Sequence, residues 1–468
     1  MHCSSIILQA KNIFLALFFV ISPACLAIAA SSHEEYIQGP FKNGPDVTKA
    51  CLVCHQDQAT DFMKTSHWTW SMEQEIDGKK VSAGKRNTFN NYCTQIVTNE
   101  PSCNRCHAGY GYADDSFDFS DKTKVDCLVC HDTTGTFVKS TSGEAFEGLN
   151  LVRIAQNVGM PVRDNCGTCH FYGGGGDAVK HGDLDSSMAY PEKKIDIHMG
   201  LDGQDFSCQT CHVTKRHVIP GNSLGVSPGA ESQLRCEDCH TATPHVESLL
   251  NDHVINIACQ TCHIPSYSKE VPTKIWWDWS TSGDDNRNIV KDKYGNRLYV
   301  KAKGDMKFGK DVAPEYAWFE PGKAVNYVRG QKIKDTSKLL TIAGPTSTIK
   351  DNKARIYPFK VMRGKQAFDP KYNTLLAVQL IGDEGYWSTF DWKKSAEIGM
   401  KAAGLTFSGE VDFIETKMYW RINHMVSEAT DSLDCLDCHG DSGRMKWKEL
   451  GYKGNPMLNA KWARSKNR

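Results

Sequence analysis

Eight times in 468 residues the chain repeats one five-residue unit, Cys-x-x-Cys-His, ending at His55, His107, His131, His170, His212, His240, His263 and His439. Sixteen of the 19 cysteines fall in it, and histidine fills only 17 positions in all, so a His after every pair is no accident of composition. Two thiols three positions apart can add to the two vinyl groups of one haem, and the adjoining imidazole then lies beneath the iron as an axial ligand. Cys-x-x-Cys pairs also build zinc sites, and cysteines of exported chains are commonly disulfides. Neither use calls for a histidine after every pair. The sequence therefore predicts eight haem c groups. The first four are held by Cys51, Cys54, Cys103, Cys106, Cys127, Cys130, Cys166 and Cys169, the last four by Cys208, Cys211, Cys236, Cys239, Cys259, Cys262, Cys435 and Cys438.

The N-terminus agrees with export. Lys11 precedes an apolar run from Ile13 to Ile21, and Ala27 and Ala29 form an Ala-x-Ala arrangement. The run is too short to span a bilayer and reads as a signal peptide over residues 1–29, removed in the periplasm. Cys25 raises lipid attachment as an alternative, but Ser22-Pro23-Ala24 is a poor approach to a lipidated cysteine. No later stretch is apolar for long enough to predict a transmembrane helix.

Lys+Arg and Asp+Glu both number 55, a balance that points away from a nucleic-acid partner. With 40% hydrophobic residues, much of the buried apolar surface is expected to come from the haem faces. Residues 30–468 are read as one multihaem cytochrome c domain, mainly α with short β segments and many loops, wrapped around a chain of haems. Seven motifs fall within 51–263, at intervals of 23 to 52 residues, which leaves room only for short helices and loops. A motif-free packing segment, 264–434, follows, rich in aromatics such as Trp276, Trp277, Trp279, Trp318, Tyr386, Trp387 and Trp392, and the eighth motif closes it at 435–439. Arg297 to Lys303 and Arg355 to Val361 read as strands. Val411, Ile414, Met418, Ile422, Met425 and Ala429 recur at three- or four-residue steps, which predicts a helix that leads His424 toward a haem. Gly173 to Gly176 lacks the Gly-Lys-Ser/Thr of a phosphate loop and reads as a flexible turn.

A haem with two histidine ligands moves electrons, whereas one with a displaceable position can bind substrate. Beyond the motifs and His2, eight histidines remain as distal candidates: His33, His67, His181, His198, His217, His245, His253 and His424. His33 lies close to the expected cleavage site, where chains are commonly poorly ordered. Setting it aside leaves seven histidines for eight irons, and one iron for another ligand or for substrate.

The leader, the motif count, the cluster of seven with one after a long gap, and the chain length together resemble the octahaem tetrathionate reductases, relatives of hydroxylamine oxidoreductase and pentahaem nitrite reductase. The likeness spans essentially the whole mature chain. It implies that the second haem, bound by Cys103 and Cys106, is catalytic and takes a lysine axial ligand from elsewhere in the chain, the other haems being bis-His. Pentahaem nitrite reductases carry that lysine inside the motif as Cys-x-x-Cys-Lys, a unit absent here.

The candidate is Lys180, in Gly176-Asp177-Ala178-Val179-Lys180-His181, where Asp177 could orient the amine and His181 could cap a neighbouring haem or line the pocket. Most lysines are simply solvated, and the chemistry is demanding: at pH 7 an amine must give up a proton it holds by about 4.6 kcal/mol before it can bind iron. Cys93, the one cysteine of the expected mature chain outside the motifs, lies ten residues before Cys103 and could meet a sulfur substrate. The expected partners are a small anionic sulfur or nitrogen substrate and a periplasmic or membrane quinol-linked electron donor. The expected activity is multi-electron reduction of tetrathionate, with nitrite or hydroxylamine as further substrates. A non-catalytic electron wire and a hydroxylamine-type oxidase are the alternatives, the latter weakened because nothing identifies a tyrosine cross-link or a trimer. A structural calcium is compatible with the many acidic residues, although they form no recognisable loop.

Overall fold

Positions three and four apart on a helical turn share a face, so a Cys-x-x-Cys-His unit on one turn aims both thiols and the imidazole the same way. In the computed structural model, which describes residues 33–76, 79–224 and 234–458, the motifs take this form. The expected leader, with Lys11, Cys25 and Ala29, lies outside the described residues. Short helices at Gly44–Cys51, Leu128–His131, Arg163–His170, Cys208–Cys211, Cys259–His263 and Cys435–His439 carry or end on motif residues. The amides of His55, His131, His212 and His240 donate to the carbonyl of their motif's first cysteine at 2.9, 3.0, 2.9 and 2.8 Å. The second motif departs from this. A single α-turn, Glu100–Cys103, tightens into a 3-10 turn, Asn104–Cys106. There His107 N donates to Asn104 O at 2.8 Å, and the chain leaves His107 extended, at φ −78° and ψ 126°.

The motif-free segment builds a nine-stranded sheet, larger than the short β segments expected. Seven strands run in the order Tyr299–Val300, Gly304–Gly309, Thr273–Asp278, Arg355–Asp369, Asp412–Arg421, Leu340–Pro345 and Ala324–Asn326. Glu315–Phe319 and Thr374–Leu375 also pair with the central strand, Arg355–Asp369. The strands expected at Arg297 to Lys303 and Arg355 to Val361 both fall in this sheet, the first only at Tyr299–Val300.

The helix expected from Val411 to Ala429 is instead the strand Asp412–Arg421, antiparallel to the central strand from Asp412↔Phe368 to Arg421↔Phe359. Ile414, Thr416, Met418 and Trp420 are 3%, 0%, 3% and 4% exposed, a period of two that belongs to a strand. The apolar three- and four-residue steps hid it because Thr416, a buried polar residue, was not counted among the inward positions. Phe413, Ile414, Thr416, Tyr419 and Trp420 are also residue types that favour strands. His424 is still brought to the haem region, from the end of a strand.

The sheet's apolar face packs Trp277, Met362, Met418 and Trp420 with Leu376, Tyr386 and Met400. Its central strand and the segment after it reach into the motif half. Asn91 Nδ2 donates to Met362 O at 2.7 Å, Gln366 Nε2 to Asn90 O at 2.8 Å and Asn99 Nδ2 to Val378 O at 2.8 Å, so the segment carrying Cys93 is fixed to the sheet. Ala258 N and Thr261 Oγ1 donate to Ile356 O at 3.0 and 2.8 Å, which fixes the seventh motif to it as well. Among the described residues no helix is long and apolar enough to cross a membrane.

The strand assignment makes a direct prediction. Thr416→Lys puts an unpaired charge inside the sheet and should cost about 3–5 kcal/mol, read as a large fall in the thermal midpoint. Glu415→Lys, on the exposed face, should stay within about 0.5 kcal/mol of the parent protein.

Candidate functional site

All eight motifs open on one cavity of about 4350 Å³. Shared among them, that is about 540 Å³ each, the size of an ordinary single-cofactor pocket of about 300–1,000 Å³. Two imidazoles on opposite sides of one iron, with metal–nitrogen bonds of about 2 Å, hold their ring centres about 6.3 Å apart. The structure contains this spacing repeatedly. His55 pairs with His33 at 6.4 Å, His131 with His217 at 6.2 Å, His212 with His424 at 6.4 Å and His240 with His198 at 6.1 Å. His263 pairs with His245 at 6.1 Å and His439 with His253 at 6.4 Å. His170 faces two candidates, His67 and His181, each at 6.2 Å. His33, set aside in the sequence because of its position, thus stands where a distal ligand of the first haem would.

An imidazole binds iron through one nitrogen when the other is engaged by a hydrogen bond that orients the ring. Nδ1 of His131 meets Gly159 O at 2.8 Å, Nδ1 of His212 meets Pro220 O at 2.7 Å, and Nδ1 of His253 meets Leu249 O at 2.8 Å. Nδ1 of His439 meets Asn455 Oδ1 at 2.7 Å. Asp183 Oδ2 holds His424 three ways, through Asn423 N at 2.8 Å, His424 N at 3.0 Å and His424 Nδ1 at 3.1 Å. In each case Nε2 is left for the metal.

His107 is the reverse, and it corrects the expectation that all eight motif histidines ligate alike. Its Nε2 meets Trp68 O at 2.6 Å, and its Nδ1 is buried without a hydrogen-bond partner. The ring is packed among Trp68, Trp70, Tyr112 and Phe117 at 4.9 to 5.4 Å. Burial holds its pKa down to about 3, so it is neutral. Lys139, itself buried against Asp126 at 3.2 Å, donates to His107 O at 2.6 Å and Gly109 O at 2.7 Å and locks the turn from behind. The 3-10 closure of the second motif is the local cause, since it takes the histidine off the helical face the cysteines share.

Lys180 lies where His107 does not. It lines the cavity beside the second motif, with Nζ 5.2 Å from the centre of the Trp420 ring. Burial, reinforced by Lys85, lowers its pKa to about 8. That reduces the cost of a neutral amine at pH 7 to about 1.4 kcal/mol. The glycine run is a turn packed at its start and open at Gly175: Lys180 N donates to Gly173 O at 3.2 Å, and a Cβ on Gly174 would meet the Tyr92 ring at 2.8 Å, whereas one on Gly175 would meet nothing within 4 Å. Cys93 is on the same cavity wall, and burial raises its pKa against the pull of Lys274 and Lys303. Asp177 does not orient the amine. Its two oxygens accept from Ser186 N at 2.9 Å and Ser186 Oγ at 2.5 Å. Among the described residues, no group of three or more His, Cys, Asp or Glu side chains could hold a metal ion such as calcium.

Thiols of different motifs lie against each other, Cys51 with Cys127, Cys106 with Cys169, Cys166 with Cys208 and Cys236 with Cys259. Cofactors carried on these thiols would be near neighbours, and that of the second motif would adjoin that of the fourth.

Two family models match the chain: bacterial cytochrome c over residues 274–442, and cytochrome c554 and c-prime over residues 50–132. An uncharacterised protein of Archaeoglobus fulgidus is 23% identical over 242 residues, covering 40% of this chain and 80% of that protein. The crystal structure of octahaem cytochrome c from Shewanella oneidensis is 52% identical and superposes with a TM-score of 0.87, covering 92% of this chain and 99% of that one.

The pairing of His33 with His55 predicts that His33→Ala turns one haem of eight from low-spin to high-spin in the oxidised electronic spectrum, with the haem count by mass unchanged. A native spectrum in that variant would remove His33 from the ligand set.

Proposed function

The chain belongs to the octahaem cytochrome c family, the tetrathionate reductase family its motif layout resembles, and from this premise we propose that it is a periplasmic reductase of small sulfur or nitrogen compounds. Tetrathionate is the first candidate, with nitrite and hydroxylamine after it. The observation that carries the reading is the division among the motif histidines. Seven have a second imidazole at the spacing of a shared iron, while His107 gives its Nε2 to Trp68 O and leaves Lys180, which is near Cys106 and Cys169, as the candidate donor for the second iron.

Haem iron, when bound, supplies a centre that exchanges electrons and, where one axial position is free, binds substrate. Lys180 would hold the second iron in place of the motif histidine. Around it the chain gathers positive charge. Lys85, whose Nζ donates to Cys103 O at 3.2 Å, and Lys303 line the cavity, while Lys274 is buried outside that lining with Nζ 3.7 Å from the centre of the Trp277 ring. Such a wall draws anions. Burial lowers the Lys274 pKa to about 7, with Lys303 adding to the effect. Cys93, kept as a thiol by burial, is suited to contacting a sulfur chain and poorly suited to attacking one.

Tetrathionate takes two electrons as its central sulfur–sulfur bond breaks into two thiosulfates, and nitrite takes six to reach ammonium. Seven further haems in contact supply a store for either demand. The neighbouring thiols support a path from the first and third motifs, through the fourth, to the fifth and beyond, with the second as a branch on the fourth. A periplasmic or quinol-linked donor would feed that path. A plain wire would have no use for a cationic pocket at one haem capped unlike the rest.

Lys180→Leu should leave eight covalent haems, alter the spectrum of one iron only, and lower tetrathionate turnover by about 10- to 100-fold. Reduction of the other haems by an external donor should be unchanged. Native spectrum and full activity in this variant would disprove the assignment.

A further inference from the structure

We infer that Lys360 is a positioning residue for the second haem site: it fixes the 177–182 turn that presents Lys180, without itself reaching the cofactor. The inference rests on the reading of Lys180 as that iron's ligand. Lys360 sits in the middle of the central strand and is 0% exposed. Lysine is almost never fully buried unless its amine is satisfied. Here Nζ lies within hydrogen-bond distance of three acceptors, Val179 O at 2.8 Å, Lys180 O at 3.3 Å and Thr273 Oγ1 at 2.5 Å, and burial, reinforced by Lys274, lowers its pKa well below that of an ordinary lysine. Thr273 Oγ1 passes the contact on, donating to Ala178 O at 2.6 Å. The amine and the hydroxyl together therefore hold three successive carbonyls, those of Ala178, Val179 and Lys180.

The turn needs holding. Ala178 is fully buried at φ +57°, a left-handed conformation that an alanine disfavours. A Cβ on Gly182 would come within 3.1 Å of Lys360 Cδ, so the lysine stem packs along the turn as well. The strand neighbour of Lys360 is Trp420, whose ring faces Lys180 Nζ at 5.2 Å and the His181 ring at 5.1 Å. Lys180 is thus placed by a directly paired lysine and tryptophan on one face of two adjacent strands. A lysine that merely stabilised the sheet would have no reason to direct its amine at this turn. Lys139 does the same for His107, holding the carbonyls on either side of Ala108. One buried lysine amine keeps the motif histidine in its aromatic pocket, and the other keeps the replacement donor in place.

The test compares holoproteins carrying Lys360→Met, Thr273→Val, Thr273→Ser and Lys180→Leu by mass, by low-temperature magnetic spectroscopy of the oxidised haems, and by tetrathionate turnover. Lys360→Met should retain eight haems and seven unchanged bis-imidazole signals while the second haem's signal shifts and kcat falls about tenfold, with KM less affected. Thr273→Val should move the same signal by less, and Thr273→Ser should restore the native one. A native second-haem signal in both Lys360→Met and Thr273→Val overturns the inference, as does a general loss of all signals in both. If Lys360→Met yields no holoprotein, the Thr273→Val and Thr273→Ser pair decides alone. A native signal in Lys180→Leu would instead sink the reading of Lys180 itself, whereas a shift there with none in Lys360→Met or Thr273→Val sinks only the positioning role.

Discussion

Every iron that only carries electrons in a chain of this kind needs two axial donors on opposite faces, and the rest of the structure is arranged around meeting that need. The imidazole pairs tie together distant parts of the sequence, as His131 with His217, His212 with His424 and His253 with His439. Bringing such remote segments together costs loop-closure entropy, which metal–nitrogen bonds and the burial of haem faces can offset. The apolar clusters of the motif half are small, and the space between them is the cavity that opens on all eight motifs. Cofactor binding and folding are coupled in such a chain. The sheet supplies the one large core that needs no haem, and the site residues 90–99, 178–182 and 420–424 hang from it.

The second motif shows what happens when the axial rule is broken locally. Its cysteines keep their spacing, but closing the turn on Asn104 instead of Cys103 takes His107 off their shared face. The imidazole then finds a complete aromatic pocket and a backbone acceptor at 2.6 Å. Reversing that would strand a buried carbonyl and empty a packed site. A donor from another part of the chain meets less opposition, and Lys180 arrives with its basicity already reduced by burial. Lys85, Lys303 and Cys93 line the same cavity, and this grouping is the basis of the proposal that a small anion is reduced at the second haem.

Much of this was legible in the sequence, and the residues that were not share a physical reason. The sixteen cysteines, the eight motifs and the pool of distal histidines are local or countable features. Which histidine meets which motif is a long-range fact with no local signature, and the 6.4 Å spacing of His33 from His55 is one such fact. The Asp412–Arg421 strand was read as a helix because its buried Thr416 does not register in an apolar count. Asp177 was credited with the lysine beside it, yet one turn sends its carboxylate to Ser186. Cys103-Asn-Arg-Cys106-His107 is the one unit of the eight with a basic residue between its cysteines, but that does not by itself signal a displaced histidine. The nearest signal was the aromatic surroundings, Trp68, Trp70, Tyr112 and Phe117, which are unusually dense near one motif.

The central claim is that one iron of eight has a ligand set unlike the rest. Low-temperature near-infrared magnetic circular dichroism of the oxidised holoprotein, whose bands report axial ligand type, measures this directly when calibrated against total haem. Seven bis-imidazole haems and one haem outside that class, either amine-ligated low-spin or high-spin, is the result this account predicts. Eight bis-imidazole haems would contradict it.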